Sequence, residues 1–415
     1  MRRFFRAVVV DTTPLREVPA FRWLYAGHGV AWIARQITVV AVPFQLYEMT
    51  GSTLKVGVLG LIQFVATLVV SLAGGAVADA VDRRKLLLIA QFLLAGTAVL
   101  LAWNAALPAP LEWPLYVLTG ANAAISAVDL PTRSAVLPAL VGRTLLASAF
   151  ALNQTLGNVA KAAGPALAGV LIATTTLQVT YWFEAGLFLV GAVMVHKIGP
   201  MPASVGAARP GFRSIAEGFR FLKGRRVLHG NFLIDLNAMI FGMPSALFPA
   251  IGIELLGGDA TTVGLLYAAP GMGALLAALT SGWVSMVRRQ GRAVIIAVIV
   301  WGTAMTVFGL TRTVEVAVAM LMIAGAADVV SAVFRNTILQ LNVPDHLRGR
   351  LSGIHIAVVA GGPRLGDFEA GAVASFTSLR FSVVSGGLAC VIGALALAKL
   401  YPEFANYRQE DAAEP

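Results

Sequence analysis

Long runs of apolar residues, separated by short polar segments, dominate the pattern of this 415-residue chain. Each run is about 20 residues long or longer, which is what an α-helix needs to cross the hydrocarbon core of a bilayer. The pattern predicts twelve membrane-spanning helices, with approximate limits 22–47, 56–79, 86–107, 113–137, 145–174, 177–196, 228–253, 261–286, 293–311, 314–340, 352–375 and 381–400. The predicted fold class is therefore an all-α integral membrane protein.

The composition agrees with this prediction and excludes several classes of protein. Hydrophobic residues make up 58% of the chain and charged residues only 13%, against about a quarter charged in an average soluble domain. Cys390 is the only cysteine, so neither an intrachain disulfide nor a cysteine-based metal cluster is expected. No phosphate-binding loop and no nucleophile-elbow motif are present. We therefore expect a protein that is not an enzyme and that needs no cofactor or metal.

The net charge of +10 predicts a topology once the basic residues are assigned to loops. Most Lys and Arg residues lie in or beside the segments on the side of both termini, whereas the opposite loops hold only Lys55, Arg312 and Arg380. Cytoplasmic loops of membrane proteins are enriched in Lys and Arg. The distribution therefore predicts cytoplasmic termini, and it gives no reason to expect nucleic acid as a partner.

The chain is predicted to consist of two six-helix bundles, residues 1–197 and 228–415, joined by a linker at 198–227. In the linker, Phe212, Ile215, Phe219 and Leu222 recur at helical spacing between basic residues. This pattern is typical of an amphipathic helix on a membrane surface. The helix is interpreted as a connector, with a regulatory role left open. Six plus six spans with a long middle loop is the layout of secondary transporters that bind substrate between repeats.

The loop after the second span carries the most specific motif, in which Gly75, Asp79 and Arg83 recur at intervals of four. It resembles the loop between the second and third helices of the major facilitator superfamily, although Asp82 replaces the usual second glycine. An ordinary charged loop is the alternative. The corresponding loop of the second half lacks the acid, because Met286 stands four residues after Gly282.

The resemblance implies a cytoplasmic gate built from Asp79, Arg83 and the fourth-span residues Asp129 and Arg133. Asp129 and Arg133 are four residues apart and share a helix face if Pro131 leaves the helix intact. The alternative is that these residues anchor the topology, with side chains that reach toward the membrane surface.

In the fifth span, Gly164, Pro165 and Gly169 resemble the antiporter signature of drug/proton exchangers, with Ala168 in place of one glycine. Proline permits a helix bend, and small residues equally permit a close packing seam. Both interpretations stay open. Together with residues 138–143, 218–222, 263–269 and 348–353, the segment 129–169 resembles the branch of enterobactin exporter-like and macrolide or multidrug efflux proteins.

Ionisable residues within the spans are the remaining candidates, because charge inside a membrane is costly and usually functional. The candidates for proton or substrate handling are Arg35, Asp235, Asp328 and Glu369. A structural ion pair, such as one between Arg364 and Asp367, is the alternative. Aromatic residues that are candidates for stacking on a substrate ring are Trp32, Phe44 and Tyr267.

The resemblance implies secondary active export of a small amphiphilic molecule, expected to be a siderophore, across a bacterial inner membrane by proton antiport and alternating access. A broad multidrug or macrolide pump is the first alternative, and a membrane receptor that transports nothing is the second. The expected partners are the small-molecule substrate, protons and the lipid bilayer, and the protein is expected to be a monomer.

Overall fold

The structure is a computed structural model, and it describes residues 11–80, 82–199, 201, 220–343, 345–408 and 410. The described residues form helices and turns and contain no β-strand. The twelve long helices are α1 Pro19–Thr50, α2 Thr53–Ala80, α3 Arg83–Ala105, α4 Trp113–Gly142, α5 Thr144–Thr174, α6 Leu177–His196, α7 Arg226–Leu255, α8 Ala260–Leu279, α9 Gln290–Leu310, α10 Val314–Leu341, α11 Asp345–Phe376 and α12 Leu379–Leu400. The predicted number of spans is therefore confirmed.

The apolar runs that predict the spans coincide with these helices. Eleven of the described helices are long and apolar enough to cross a membrane, and the twelfth, α11, carries Arg364, Asp367 and Glu369 within its length. Backbone groups inside a bilayer must be hydrogen-bonded within the chain, which is why such runs form helices. The fold is that of an all-α integral membrane protein.

Side-chain caps set the starts of several helices. Asp82 Oδ1 accepts a hydrogen bond from the Lys85 amide at the start of α3, and Thr176 Oγ1 accepts one from Val179 at the start of α6. Asp259 caps α8 through the amide of Thr261. Each cap satisfies an amide that has no partner within its own helix, so the short polar segments between the apolar runs fix where the helices begin.

α4 and α5 meet at Gly142 with almost no connecting loop. Gly142 has φ 69° and ψ 177°, a conformation that interrupts an otherwise continuous helical segment from Trp113 to Thr174. This region of backbone space is essentially restricted to glycine. The predicted end of the fourth span at residue 137 is therefore too early, since α4 continues through Pro138 to the break.

α7 is interrupted near its middle. Its first part, Arg226–Phe241, ends where Gly242 and Pro244 leave the helical conformation, and short helical turns then continue from Ser245 to Leu255. In the eleventh span, the glycines at 361 and 362 and the adjacent Pro363 predict a broken or bent helix. α11 is not broken there, since the α-helix is continuous from Asp345 to Phe376.

The chain divides into two compact units, and the first comprises Met1–Gln45 and Val65–Arg209. Its core includes Phe21, Leu87 and Val195, which are 1%, 1% and 0% exposed. In the same unit, α1 packs closely on α5. A side chain at Gly164 would clash with Gln36, and one at Gly157 would clash with Trp32.

The second unit comprises Leu46–Phe64 and Pro210–Pro415, so it includes the end of α1 and the first part of α2. The Tyr47 hydroxyl donates a hydrogen bond to Glu254, and Thr53 Oγ1 donates one to the Gly371 carbonyl at 3.2 Å. The predicted boundaries at residues 197 and 228 remain a prediction. Most of the predicted amphipathic helix, residues 212–219, lies outside the described residues.

Candidate functional site

The first unit contains a buried cluster of three charged residues on α1 and α4. Nε of Arg133 lies 2.9 Å from Oδ2 of Asp129, and Arg35 forms an ion pair with the same oxygen. The Asp129 side chain is fully buried, and those of Arg35 and Arg133 are 10% and 2% exposed. Two cations thus share one carboxylate in a region where charge is costly, and the cluster carries one positive charge in excess.

The hydrogen bonds of this cluster are incomplete. Both terminal nitrogens of Arg133 and the second oxygen of Asp129 are buried and have no hydrogen-bond partner among the described residues. Buried polar groups are normally paired, so unpaired ones at a charged cluster mark a place where another group belongs. Chemically, the guanidinium groups can bind a carboxylate, phenolate or similar anion.

An aromatic stack lies on the same helix as Arg35. The rings of His28 and Trp32 are stacked with 4.2 Å between centroids, and His28 Nδ1 lies 2.8 Å from Oδ1 of Asn153 on α5. His28 Nε2 is buried, and no described residue forms a hydrogen bond with it. α1 therefore carries an aromatic surface one turn from its buried arginine.

The side chain of Arg83, at the start of α3, contacts the backbone of α4. Its Nη1 donates a hydrogen bond to the Ala135 carbonyl at 3.0 Å. Asp79 lies in α2, and its side chain is outside the described part of the structure. The predicted gate therefore divides into a described ion-paired portion at Asp129 and Arg133 and a loop portion of which only Arg83 is described.

A second polar group of the first unit joins α1 and α6. Thr38 Oγ1 donates a hydrogen bond to Oε1 of Glu184, and the Tyr181 hydroxyl donates one to Gln45 Oε1 at 2.9 Å. Glu184 and Tyr181 are both 0% exposed. Within the part of the chain that the structure describes, Oε2 of Glu184 has no hydrogen-bond partner.

The second unit contains its own buried ion pair between α7 and α10. Asp235 pairs with Arg335, and their side chains are 2% and 4% exposed. Nη2 of Arg335 lies 3.7 Å from Asp328, whose side chain is 36% exposed. The Asn231 amide donates a hydrogen bond to the Arg335 carbonyl at 3.3 Å. The two acids predicted from the sequence are thus brought together around one arginine.

Asp367 on α11 supports the break in α7. Its Oδ1 accepts hydrogen bonds from Ser245 Oγ at 2.5 Å and from the Ala246 amide at 2.9 Å. Nη1 of Arg364 lies 3.8 Å from its other oxygen, and the Tyr267 hydroxyl donates a hydrogen bond to the Ser245 carbonyl at 2.8 Å. Asp367 therefore satisfies backbone and side-chain groups where α7 restarts.

Comparison with known protein families identifies this chain as a membrane transporter. The model of the transmembrane secretion effector family, a group of major facilitator proteins, matches residues 10–413. This chain belongs to that family.

Several relatives of this family member match it over nearly its whole length. The enterobactin exporter EntS of Citrobacter koseri is 28% identical over 401 residues, covering 97% of this chain and 96% of the relative. EntS of Escherichia coli K12 is 28% identical over 402 residues with the same coverage. This chain is therefore a multi-pass membrane transporter of the major facilitator type, not an enzyme.

Solved transporters share the fold. A bacterial homologue of the lysosomal transporter Spinster has a TM-score of 0.73 and 14% identity, covering 94% of this chain and 98% of the homologue. A D-xylose–proton symporter has a TM-score of 0.71 and 15% identity, with coverage of 94% and 99%. At these identities the likeness shows the major facilitator fold and nothing more specific.

The other residues predicted from the sequence do not join the charged clusters of this family member. Phe44 is a core residue with 4% exposure, Tyr267 stacks edge-on against Phe248 with 5.0 Å between ring centroids, and Glu369 is half-buried on α11. Gly164 lies against Gln36 of α1, as a packing seam requires. None of their predicted roles is tested by these positions.

Two buried acids, Glu184 and Asp367, are not among the candidates that the sequence predicts for proton or substrate handling. Each is an ionisable residue within a predicted span. Their only local signal is a single acid in an apolar run. What distinguishes them is the identity of their partners on distant segments, Thr38 and Ser245, and these partners depend on helix packing.

Proposed function

We propose that this transporter exports an anionic, aromatic small molecule of the catecholate siderophore class. The observation that carries the proposal is the full-length similarity to enterobactin exporters, which covers 97% of the chain. Similarity at 28% identity supports a class of substrate rather than one compound. The chemistry of the buried cluster on α1 and α4 provides a second argument for that class.

The cluster on α1 and α4 fits such a cargo. Arg35 and Arg133 outnumber Asp129, and among the described residues the two terminal guanidinium nitrogens of Arg133 have no hydrogen-bond partner. Guanidinium groups bind carboxylates through two parallel hydrogen bonds to neighbouring oxygens, and the two adjacent oxygens of a catecholate offer a similar pair of acceptors. Arg35 retains some exposure at 10%, so it is the member of the cluster that a bound anion would reach first.

The same proposal includes proton antiport and alternating access. The termini face the cytoplasm of a bacterium, as the basic loops predict, and export is driven by protons returning down their gradient. The residues proposed to take part in gating are Asp79, Arg83, Asp129 and Arg133. Buried acids such as Asp235 are candidates for proton exchange.

Transport by purified protein in sealed proteoliposomes tests the proposal. A metal-free catecholate siderophore, a macrolide and a cationic dye are compared in counterflow and under an imposed pH gradient. We expect counterflow of the catecholate, and accumulation of it that reverses when the pH gradient is reversed. The Arg35→Gln variant should raise the catecholate concentration needed for half-maximal transport, whereas Arg312→Gln, in an exposed loop, should not.

The outcomes separate the candidate functions. Transport of the macrolide and the dye with no preference for the catecholate would favour the multidrug pump instead. A folded protein that binds the catecholate tightly but moves none of the three compounds would contradict the transport proposal and favour a receptor.

A further inference from the structure

Glu184 differs from the other buried acids of the described chain in having no cation beside it. Asp129 pairs with Arg133 and Arg35, Asp235 pairs with Arg335, and Asp367 lies near Arg364. Within the described residues no ion pair involves Glu184, although its side chain is completely buried. Its single hydrogen bond comes from Thr38, and its Oε2 has no partner.

An isolated buried carboxyl is hard to explain as a structural device. A carboxylate buried without a cation costs far more free energy than a buried ion pair, and one unpaired oxygen adds to that cost. A glutamine would fill the same space and accept the same hydrogen bond from Thr38. The feature that only glutamate adds is the ability to gain and lose a proton.

A second polar pair lies between this carboxyl and one end of the helices. Thr38 and Gln45 are seven residues apart on α1, and Glu184 and Tyr181 are three apart on α6, so each pair lies on one helix face. The Thr38–Glu184 and Tyr181–Gln45 hydrogen bonds are thus two successive links along the α1–α6 interface. The second link lies nearer to Thr50 and Leu177, where α1 ends and α6 begins.

The charged groups on the neighbouring helices are occupied elsewhere or lie at the helix ends. On α6 itself, the nearest titratable group is Tyr181. α3 carries its charges in its first turn, where Arg84 contacts His196 at the opposite end of α6. The other charged residues of the packed helices are the exposed Arg22, Arg35 and the exposed Glu48 on α1, Asp129 and Arg133 on α4, and the exposed Lys161 on α5. The histidine of α1, His28, lies beside Asn153 on α5.

We propose that Glu184 is the proton-exchanging carboxyl of this transporter, with Thr38 holding it and Tyr181 and Gln45 forming the polar path to the helix ends. In one state the carboxyl O–H bond is intact and the group is neutral. In the other that bond is broken, the proton has passed to water and Thr38 stabilises the carboxylate. The inference rests on the proposed antiport and names the residue that carries it.

The test compares wild-type protein with Glu184→Gln, which preserves size and the acceptor for Thr38. Two readouts are needed, namely substrate counterflow without a pH gradient and the protons released or taken up when a catecholate is added to weakly buffered protein. We expect Glu184→Gln to retain counterflow but to lose both proton exchange and accumulation driven by a pH gradient. Glu48→Gln removes an exposed acid from the same α1 helix and should behave as wild type.

Thr38→Val provides a second variant that does not depend on neutralising the acid. Without its donor, the carboxylate is less stabilised, so proton exchange should persist with a pH profile moved toward higher pH. Full proton coupling in a folded Glu184→Gln variant would overturn the inference and leave antiport intact. Absence of proton exchange in transporting wild-type protein would instead contradict the antiport itself. Size-exclusion profiles establish that each variant is folded.

Discussion

Nε of Arg133 lies 2.9 Å from Oδ2 of Asp129, one helical turn away on α4, and Arg35 from α1 pairs with that same oxygen. One carboxylate oxygen thus links two arginines on two helices. Because all three side chains are buried, this link contributes to the packing of α1 on α4 as well as to the chemistry of the site.

Neutralising Asp129 should destabilise the protein strongly. Asp129→Asn keeps the shape of the side chain but leaves two buried guanidinium groups without a counter-charge. Removing one partner of a buried ion pair costs about 3–5 kcal/mol. The free energy of unfolding, measured by denaturant titration in detergent micelles, should fall by that order, and transport should be lost.

The exposed pair between Arg226 and Glu403 provides the control. Its atoms lie 3.2 Å apart, but its side chains are 55% and 47% exposed. Exposed ion pairs contribute about 0–1 kcal/mol, so Glu403→Gln should leave stability nearly unchanged. Equal losses of unfolding free energy in the two variants would show that burial does not make the Asp129 cluster more stabilising than an exposed ion pair.

A close approach of α8 and α10 predicts a second effect. A Cβ at Gly325 would lie 2.0 Å from the Pro270 carbonyl oxygen, and one at Gly273 would lie 1.8 Å from that of Met322. Since backbone atoms cannot move aside as a flexible side chain does, Gly325→Ala should force the helices apart at a cost of about 1–3 kcal/mol. The thermal unfolding midpoint in detergent measures this loss.

Gly96→Ala is the matched control for that substitution. Gly96 also lies within a helix, α3, but has open space where a Cβ would be placed. Alanine favours a helix over glycine by up to about 1 kcal/mol, so this variant should be neutral or slightly more stable. A loss of stability in it would mean that the clash is not the cause in Gly325→Ala.

The sequence predicts the helices well because membrane insertion depends on local apolar content. Every predicted span has a helix at its position, and Leu177–His196 has the predicted limits. Asp129 and Arg133 were also predictable as a pair, since four residues in a helix bring them to one face. Local pattern was therefore sufficient wherever the relevant distance was one helical turn.

Partners on other helices were not predictable in the same way. Arg35 and Asp129 are 94 residues apart in the chain, and Thr38 and Glu184 are 146 apart. Without the packing of the helices, each of these residues is only a polar group within an apolar run. The break in α7 was missed for a related reason. The chain can leave the helix at Gly242 and Pro244 because Asp367 on α11 accepts hydrogen bonds from the Ser245 hydroxyl and the Ala246 amide just after the break.

The break at Gly142 gives a third prediction. With φ 69° and ψ 177°, this residue occupies a region that side chains disfavour by about 1–3 kcal/mol. Gly142→Ala should therefore either destabilise the junction of α4 and α5 or extend the helix across it. Hydrogen exchange of the amides at 140–146 should change, whereas Gly186→Ala, at an open helical position of α6, should leave them unchanged.

The cap that Asp367 provides for α7 gives the fourth prediction. Its Oδ1 accepts the Ala246 amide, one of the groups left without a partner when the helix restarts after Pro244. Asp367→Ala removes this acceptor and should cost about 1 kcal/mol, as the loss of a helix cap does. Amide hydrogen exchange at Ala246 should become faster, with the change spreading toward Leu255 as that part of α7 loosens.

Ser245→Ala separates the backbone cap from the side-chain contact. It removes the 2.5 Å hydrogen bond from Ser245 Oγ but leaves Asp367 free to accept the Ala246 amide. If the cap holds the restart of α7, exchange at Ala246 should stay slow in Ser245→Ala and rise in Asp367→Ala. Equal acceleration in both would assign the stabilisation to the serine contact. Unchanged exchange in both would mean that the turns from Ser245 to Leu255 hold themselves, and that Asp367 contributes nothing to the break.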